Sequence, residues 1–376
     1  MNKTLITKLN GVVNNDNILK LGEMRIRIAK VANPTDATQG FSITVNKPVT
    51  AKIIGDGYFT NKSLSVNLGN TMNLNTGSNG IWVSNDDVKI SIIGKYSITE
   101  FTSSYPGQSS SVYGENIGLD LSSFKYSTFL TGLDIHDSQV SGNIEDLKDL
   151  TAMSYLGLYN TQVSGDIKVL KNLTNLTFLG LHNTQVSGDI GYLKNLALST
   201  LSLSNTQVSG DIKELKDLTT LTSFTLPNTQ VMGDIGYLKN LTALTSLSVF
   251  NIKVPLTGDI GDLSTLTKCE DITLQYSKLT GDLATLPASC QFISFKNDMG
   301  SSFTWGTRAS SSKIVAIEGN ARLANIDKML QDQAQCQVGS DPSNRIISVV
   351  GNRTSASDAA VKTLQQNGYT VSITPA

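Results

Sequence analysis

The sequence contains few of the residues from which catalytic and metal sites are usually built. It has two histidines and three cysteines, and no two cysteines are spaced as CxxC. An odd count without that spacing indicates neither a disulfide framework nor a zinc site. The nucleophile-elbow, HExxH, P-loop and dinucleotide-binding motifs are absent from the sequence as well. We therefore predict no cofactor, no metal ion and no enzymatic activity; carboxylates paired for glycoside cleavage in the N-terminal region are the alternative left open.

The sequence also lacks a charge excess, a long apolar run and an export signal. Its 30 basic and 31 acidic residues give a formal net charge of −1, which argues against general binding to nucleic acid or anionic membranes. It has no run of about 18 apolar residues that would predict a membrane-spanning helix. Polar side chains interrupt the first 24 residues every few positions, unlike the apolar centre of a secretory signal. We therefore expect no signal peptide and no membrane insertion.

What the sequence does contain is one phrase that returns almost unchanged. The phrase NTQVSGDI, its variant NTQVMGDI and weaker copies begin at Asp137, Asn160, Asn183, Asn205, Asn228, Pro255 and Ser277. Each copy holds one glycine, and these are Gly142, Gly165, Gly188, Gly210, Gly233, Gly258 and Gly281. Their separations are 23, 23, 22, 23, 25 and 23 residues. A repeat of this length indicates a solenoid with one strand per turn.

One repeat shows how such a turn is built. Leu176–Val186 reads LxxLxLxxTxV, and the alternation in LxL predicts a short strand with its leucines on the buried face. Gly188 follows where the backbone must turn away from that strand, which glycine permits. Asp189 is then a plausible N-cap for a helix or 3₁₀ turn. Parallel strands joined by such crossovers predict a right-handed coil.

At these residues the chain resembles the leucine-rich-repeat family. The VSGDI segment is similar to the LxGxI segment of the plant-type subclass, and the whole phrase resembles repeat proteins of gut anaerobic bacteria and of their phages and prophages. The resemblance covers about Leu119 to Phe295. One departure is the position that the family usually fills with asparagine, which here holds Thr161, Thr184, Thr206 and Thr229. A threonine hydroxyl can still bond to the backbone.

The regions on either side of the repeats have other patterns. Strand-like segments begin at Met24, Phe41, Thr50, Lys62, Ile81 and Val88. We predict a small antiparallel β-sandwich-like domain over residues 1–116, with a helix or arm at its start, and the repeats over 117–300. Residues 301–376 are expected to hold an irregular insertion and then a cap with helices over Arg322–Gln335 and Ser357–Gln366.

The predicted fold class is thus mainly β with an α/β cap. It is a right-handed leucine-rich-repeat solenoid of about seven to eight coils. A small antiparallel β domain precedes the solenoid, and a strand–helix C-terminal cap closes it.

The concave strand face is the surface on which we expect a partner. Both histidines, His136 and His182, occupy one column two coils apart, with Tyr159 between them, and Gly157 and Gly180 leave room beside the rings. At an expected separation of about 10 Å the histidines cannot share a metal ion. Exposed aromatic rings flanked by amides suit a protein or glycan; shielding of the strand backbones is the alternative. The predicted contact residues are Tyr155, Tyr159, Phe178, His136, His182, Asn160 and Asn183.

Two further patterns have a structural interpretation. Cys269 and Cys290 occupy the first apolar position of adjacent repeats, which predicts small core side chains, with a disulfide between coils as the alternative. Columns of aspartate, including Asp189, and of lysine, including Lys194, predict a solvated outer face; calcium bridging along the aspartates is the alternative.

These observations predict a non-enzymatic recognition or structural protein. The repeats would present a rigid surface to a protein or cell-surface glycan, and the β domain would bind other structural subunits. The resemblance and the missing export signal favour a phage or prophage virion or tail-associated host-recognition component, held in the particle or in the cytoplasm before assembly. A bacterial surface or secreted adhesin, with an export signal upstream of Met1, and a scaffold within a particle are the alternatives.

Overall fold

A computed structural model describes strands between Glu23 and Thr102 and then residues 117–376, apart from positions 126, 129, 251, 253, 297–299, 309–315 and 337–344. Contacts divide the chain into two compact units, Met1–Leu176 and Thr177–Ala376, here termed the first and the second unit. The helix or arm expected at residues 1–20 and the strand expected at Ile81 lie outside the described residues. The division falls within the repeats, and the three-domain organisation remains a prediction.

The first unit begins with antiparallel strands, as its sequence predicts. They are β1 (Glu23–Ile28), β2 (Gln39–Val45), β3 (Val49–Ile54), β4 (Lys62–Val66), β5 (Thr71–Thr76), β6 (Val88–Ile93), β7 (Ile98–Thr102) and β8 (Ile117–Gly118). One sheet has the order β4-β3-β6-β1-β8. Strand β2 pairs antiparallel with β5 and β7, which are two strands that the sequence pattern does not predict.

The antiparallel strands lead directly into the repeat ladder. Strand β7 runs parallel to β9 (Gly132–Asp134), with Phe101 opposite Leu133. The exposed edge of a repeat ladder needs such a cover. Strand β7 therefore covers the starting edge of the repeats.

Each of the seven repeats that carry the phrase folds into one coil with two short strands and a 3₁₀ turn, and a further pair of strands follows them. The first strands of the coils are β9, β11 (Tyr155–Gly157), β13 (Phe178–Gly180), β15 (Thr200–Ser202), β17 (Ser223–Thr225), β19 (Ser246–Val249), β21 (Asp271–Leu274) and β23 (Phe292–Phe295). The second strands are β10 (Ser141–Asn143), β12 (Gln162–Asp166), β14 (Gln185–Asp189), β16 (Gln207–Asp211), β18 (Gln230–Met232), β20 (Thr257–Asp259), β22 (Lys278–Asp282) and β24 (Ser302–Thr304). The prediction of one strand per turn thus misses the strand formed by the QVSGD phrase itself.

Within each unit the strands of the coils stack parallel and in register. In the second unit, Leu201 of β15 lies opposite Phe224 of β17 and Gly188 of β14 lies opposite Val208 of β16. The leucines of the LxL pattern point inward: Leu201 and Leu203 have no exposed surface. Each such side chain contributes roughly 1.5–3 kcal/mol when fully buried. Stacked apolar layers are therefore the main source of cohesion.

The repeated Gly-Asp pair fixes one coil to the next. The carboxylate of Asp189 caps its own 3₁₀ turn by accepting a hydrogen bond from the Gly191 amide at 2.7 Å. It also lies where a Cβ atom on Gly210 of the following coil would collide with it. Gly210 has φ +113° as well, so glycine is required there for two reasons. The predicted N-cap role of the aspartates is confirmed, and the cap–glycine contact is a second role.

The threonines at the usual asparagine position are buried and bonded within their own coil. Thr206 is 6% exposed, and its hydroxyl donates to the Leu203 carbonyl at 2.6 Å. Thr184 and Thr229 make the equivalent bond to Leu181 and Leu226. The expected hydrogen bond from hydroxyl to backbone is therefore confirmed.

The C-terminal part of the second unit alternates strands and helices, as predicted. Its elements are β25 (Ala316–Leu323), α1 (Ile326–Gln335), β26 (Ile346–Val350), α2 (Asp358–Gln366) and β27 (Thr370–Thr374). The first helix begins later than the sequence predicts, because Arg322 and Leu323 pair with β24. Trp305 donates to Asp332 of α1 at 2.8 Å and so fastens that helix to the last coil.

The prediction that Cys269 and Cys290 are small core side chains is confirmed. Cys269 and Cys290 are free thiols with no exposed surface, and they lie in adjacent coils because Asp271 pairs with Phe292. Burial raises the pKa of the Cys269 thiol to about 12. These thiols therefore behave as small apolar core groups.

The cap–glycine contact predicts that alanine will destabilise the fold by different amounts at two glycines that share the same backbone angle. Gly210 and Gly300 both have φ +113°, but a Cβ on Gly300 meets nothing within 4 Å. Each alanine variant should lose about 1–3 kcal/mol to backbone strain. Gly210→Ala should lose a further ~1–3 kcal/mol because its methyl group overlaps Asp189. Thermal unfolding of the two variants measures the difference; equal losses would show that the carboxylate does not constrain the glycine.

Candidate functional site

The first strands of two coils in the first unit carry the predicted aromatic residues. Strands β9 and β11 pair in parallel, with Leu156 opposite Leu133 and Gly157 opposite Asp134. Both leucines are fully buried. Because side chains alternate along a strand, Asp134 and Tyr155 stand on the opposite, outward face, and each is partly exposed.

Five side chains meet on this face and are here termed the strand-face cluster. They are Asp134, His136, Asp137, Tyr155 and Tyr159. The rings of His136 and Tyr159 stack with their centroids 4.3 Å apart and their planes at 15°. His136 Nδ1 lies 2.6 Å from Asp134 Oδ1, and His136 Nε2 lies 3.8 Å from Asp137 Oδ2. The histidine is thus held between two carboxylates and an aromatic ring.

Gly157 provides the space in which this arrangement forms. A Cβ atom at this position would lie 2.5 Å from Asp134 Oδ1 and 3.1 Å from Cε1 of Tyr155. The Tyr155 hydroxyl also bonds to Asp134, so one carboxylate contacts both a histidine and a tyrosine. The prediction that Gly157 leaves room beside the rings is confirmed.

Burial and the neighbouring carboxylates keep both phenols protonated. Desolvation is the main cause, followed by the charge of Asp134, and together they raise the pKa of Tyr155 well above its usual range. The same desolvation, with the charges of Asp134 and Asp137, raises the pKa of Tyr159 to about 12. A phenolate near a carboxylate is disfavoured because like charges repel. At neutral pH the strand-face cluster therefore offers hydroxyl groups beside two anions.

Two further predicted contact residues, Phe178 and His182, belong to the second unit. Phe178 is partly buried on β13, opposite Thr200 of β15. His182 Nδ1 lies 3.0 Å from the Ser202 hydroxyl. The structure thus places His182 beside a small hydroxyl residue of the next coil.

The asparagine column has a structural role that explains its repetition. Asn160, Asn183, Asn205 and Asn228 have φ near +55°, a left-handed conformation that asparagine tolerates. In the second unit the amide of Asn228 donates to Asn205, and that of Asn205 donates to Asn183. In the first unit Asn160 donates to Asp137 at 2.5 Å. Asn160 and Asn183, predicted as contact residues, therefore also hold the turns of their coils together.

Sequence reasoning did not select the two carboxylates that organise the cluster. Asp134 stands in the column that holds Gly157 in the next repeat, and Asp137 in the column of Asn160. An acid in a column of small or amide residues is the signal that identifies them. Among the described residues, no group of three or more His, Cys, Asp or Glu side chains is placed to hold a metal ion.

The geometry of the coils defines their class. Parallel strands with inward leucines, a repeat of 22–25 residues and a capped turn on the opposite side of each coil are features of leucine-rich repeats. The fold is mainly β, with a strand–helix cap at its C-terminal end. No helix in the described part of the chain has the length and apolar character needed to cross a bilayer.

Solved structures with similar folds include bacterial and plant proteins. An internalin (inlF) from Listeria monocytogenes is 19% identical, with 76% of this chain and 85% of that chain covered and a TM-score of 0.49. The plant peptide hormone receptor RGFR1 in complex with RGF2 is 21% identical, with 68% of this chain covered and a TM-score of 0.47. The chain spans 41% of that receptor's length. Comparison with protein-family models and with curated proteins finds no match.

The raised phenol pKa values predict how the protein responds to alkali. An unfolded chain releases its tyrosine protons near pH 10, whereas Tyr159 in the folded chain releases its proton only near 12. The folded state therefore holds more protons between these values, so stability falls as pH rises through them. Absorbance of the phenolate should show a late-titrating fraction that shrinks in Tyr155→Phe and Tyr159→Phe.

Asp134→Asn provides the matched control for this titration. It keeps the shape of the side chain but removes a charge that raises both pKa values. The late fraction should move to lower pH in this variant. An unchanged titration in all three variants would contradict the described environment of the cluster.

Proposed function

We propose that this chain is a non-enzymatic recognition protein that binds a partner protein through the strand-face cluster. The observation that carries the proposal is the meeting of two tyrosines, a histidine and two carboxylates on an outward sheet face. Such a face is already ordered before a partner arrives. Tyrosine-rich patches of this kind are where interface energy usually concentrates.

The internal contacts of the cluster support binding rather than catalysis. His136 is fixed by a short contact to Asp134 and by the stack on Tyr159. Side chains held in advance lose little conformational entropy on association, so more of the contact energy is retained as affinity. Carboxylates beside aromatic faces favour a lysine or arginine side chain of the partner, through charge-assisted hydrogen bonds and cation–π contact.

The second unit has its own row of small polar groups on the outward side of its first strands. Strands β15, β17 and β19 present Thr200, Ser202, Ser223, Thr225, Ser246 and Ser248, all partly exposed. Hydroxyl groups of this size suit the hydrogen-bonding rim of an interface. Phe178 and His182 add a second aromatic contact within that unit.

We favour a role for this chain as a host-recognition component of a phage or prophage virion, associated with the tail. This part of the proposal is supported by the resemblance of the NTQVSGDI phrase to repeat proteins of gut bacteria and their phages. The N-terminal strands would then bind other structural subunits of the particle. A bacterial surface adhesin, a particle scaffold and binding of a cell-surface glycan by the same face are the alternatives. Mass spectrometry of purified particles tests the setting.

Substitution of the aromatic residues tests the binding surface. The fluorescently labelled chain should bind intact cells of at least one strain in a panel of gut anaerobes. Since the proposed partner is a protein, protease treatment of those cells should reduce the binding. The triple variant Tyr155→Ala/Tyr159→Ala/Phe178→Ala should lose at least about tenfold in affinity, because hot-spot residues are removed. Flow cytometry over a concentration series measures this.

The control for this experiment is a variant altered at outward positions of first strands in the second unit, without loss of aromatic rings. Thr225→Ala/Ser248→Ala should bind within about threefold of the unaltered chain, since rim hydroxyls contribute little. Unchanged binding by the triple variant would eliminate the aromatic surface as the contact. Loss of binding after periodate but not protease treatment would assign the face to a glycan instead.

A further inference from the structure

Two tyrosines on the outer side of the second unit are exposed although nothing in the fold requires them there. Tyr192 is 42% exposed and Tyr237 is 45% exposed, and both lie on 3₁₀ turns, Ile190–Leu193 and Ile235–Asn240. They occupy the same position of the repeat in the identical segment IGYLKN. Their repetition two coils apart indicates a shared role.

The glycine before each tyrosine packs against an acidic side chain of the next coil. Gly191 precedes Tyr192, and a Cβ there would lie 3.2 Å from Cγ of Glu214. Gly236 precedes Tyr237, and a Cβ there would lie 2.7 Å from Oδ2 of Asp262. The coil between them carries Lys213 at the glycine position. The chain thus places an exposed tyrosine directly after such a glycine twice.

Each ring lies in an open groove with nearly balanced charge. The groove of about 540 Å³ at Tyr192 includes Lys194, which pairs with Glu214 at 3.5 Å, and Lys213, which pairs with Asp211 at 3.5 Å. The groove of about 380 Å³ at Tyr237 includes Lys216, Lys239 and Asp234. Both grooves therefore offer hydrogen-bond donors and acceptors, from basic and acidic side chains alike. Such grooves suit an uncharged ligand with many hydroxyl groups.

The spacing of the two rings identifies the shape of that ligand. Successive coils are separated by one strand spacing, so rings two coils apart are separated by roughly 10 Å along the stack. An extended β-1,4-linked polysaccharide presents the same sugar face at every second residue, at close to this interval. Aromatic rings bind the apolar face of a sugar, while carboxylates accept bonds from its hydroxyls.

We propose that the outer face around Tyr192 and Tyr237 binds an extended, neutral β-1,4-linked polysaccharide, with one chain contacting both rings. The polysaccharide lies along the stack of coils, and Glu214 and Asp234, which line the two grooves, accept bonds from its hydroxyl groups. This site is separate from the strand-face cluster, because it lies on the turns rather than on the first strands of the coils. The two sites can therefore succeed or fail independently.

Calorimetry with defined oligosaccharides tests the proposal on the full chain. Cellohexaose, mannohexaose and xylohexaose are the extended probes, cellobiose is too short to reach both rings, and isomaltohexaose controls for linkage. At least one extended hexasaccharide should bind at least about tenfold more tightly than cellobiose, since a second contact acts at high effective concentration. Tyr192→Ala and Tyr237→Ala should each abolish this advantage, and the double variant should lose detectable binding.

Matched variants separate loss of the rings from loss of the fold. Met232→Ala removes another exposed large side chain, 43% exposed in the free chain, and should leave sugar binding unchanged. Tyr192→Phe/Tyr237→Phe keeps both rings and should retain most of the affinity. All variants should unfold at the temperature of the unaltered chain. Failure of the unaltered chain to bind any extended hexasaccharide at millimolar concentration, or equal binding by the double alanine variant, would overturn the proposal.

Discussion

Contact between a capping carboxylate and a glycine in the next coil is the constraint on which the repeat structure depends. Asp189 holds its own 3₁₀ turn and occupies the volume above Gly210; Asp211 and Gly233 repeat this arrangement one coil later. The leucine layers supply most of the cohesion, but an apolar layer alone does not fix a register. The carboxylate does, because it fits only over a residue without a side chain.

This constraint explains why sequence reasoning located the repeats so well. The spacing of the glycines sets the positions of the strands within the repeats, and the aspartate after most of these glycines marks the start of a turn. Strands outside the phrase are harder to predict. Strand β5 has the polar sequence TMNLNT, and β24 forms because β22 and β25 pair with its backbone. Pairing partners decide such strands, and a local pattern does not contain them.

The candidate site was predictable to a similar extent. The columns of the repeat identify His136, Tyr155 and Tyr159 as neighbours, because strand register converts sequence period into distance. The roles of Asp134 and Asp137 depend on side-chain direction and on the space above Gly157, which the period does not specify. The asparagine column shows the opposite limit. Its exposure suggested contact with a partner. Its left-handed backbone conformation and its amide hydrogen bonds show that it also shapes the turn of each coil and links adjacent coils.

Since each cap–glycine contact joins only adjacent coils, the repeats are interchangeable parts of a modular array. Three copies of the phrase are identical, so recombination between them would add or delete a whole coil while preserving every remaining junction. Such an event would lengthen or shorten the exposed surface and change the distance between features such as Tyr192 and Tyr237. Variation in coil number thus offers a route to altered ligand range without a change in the underlying fold.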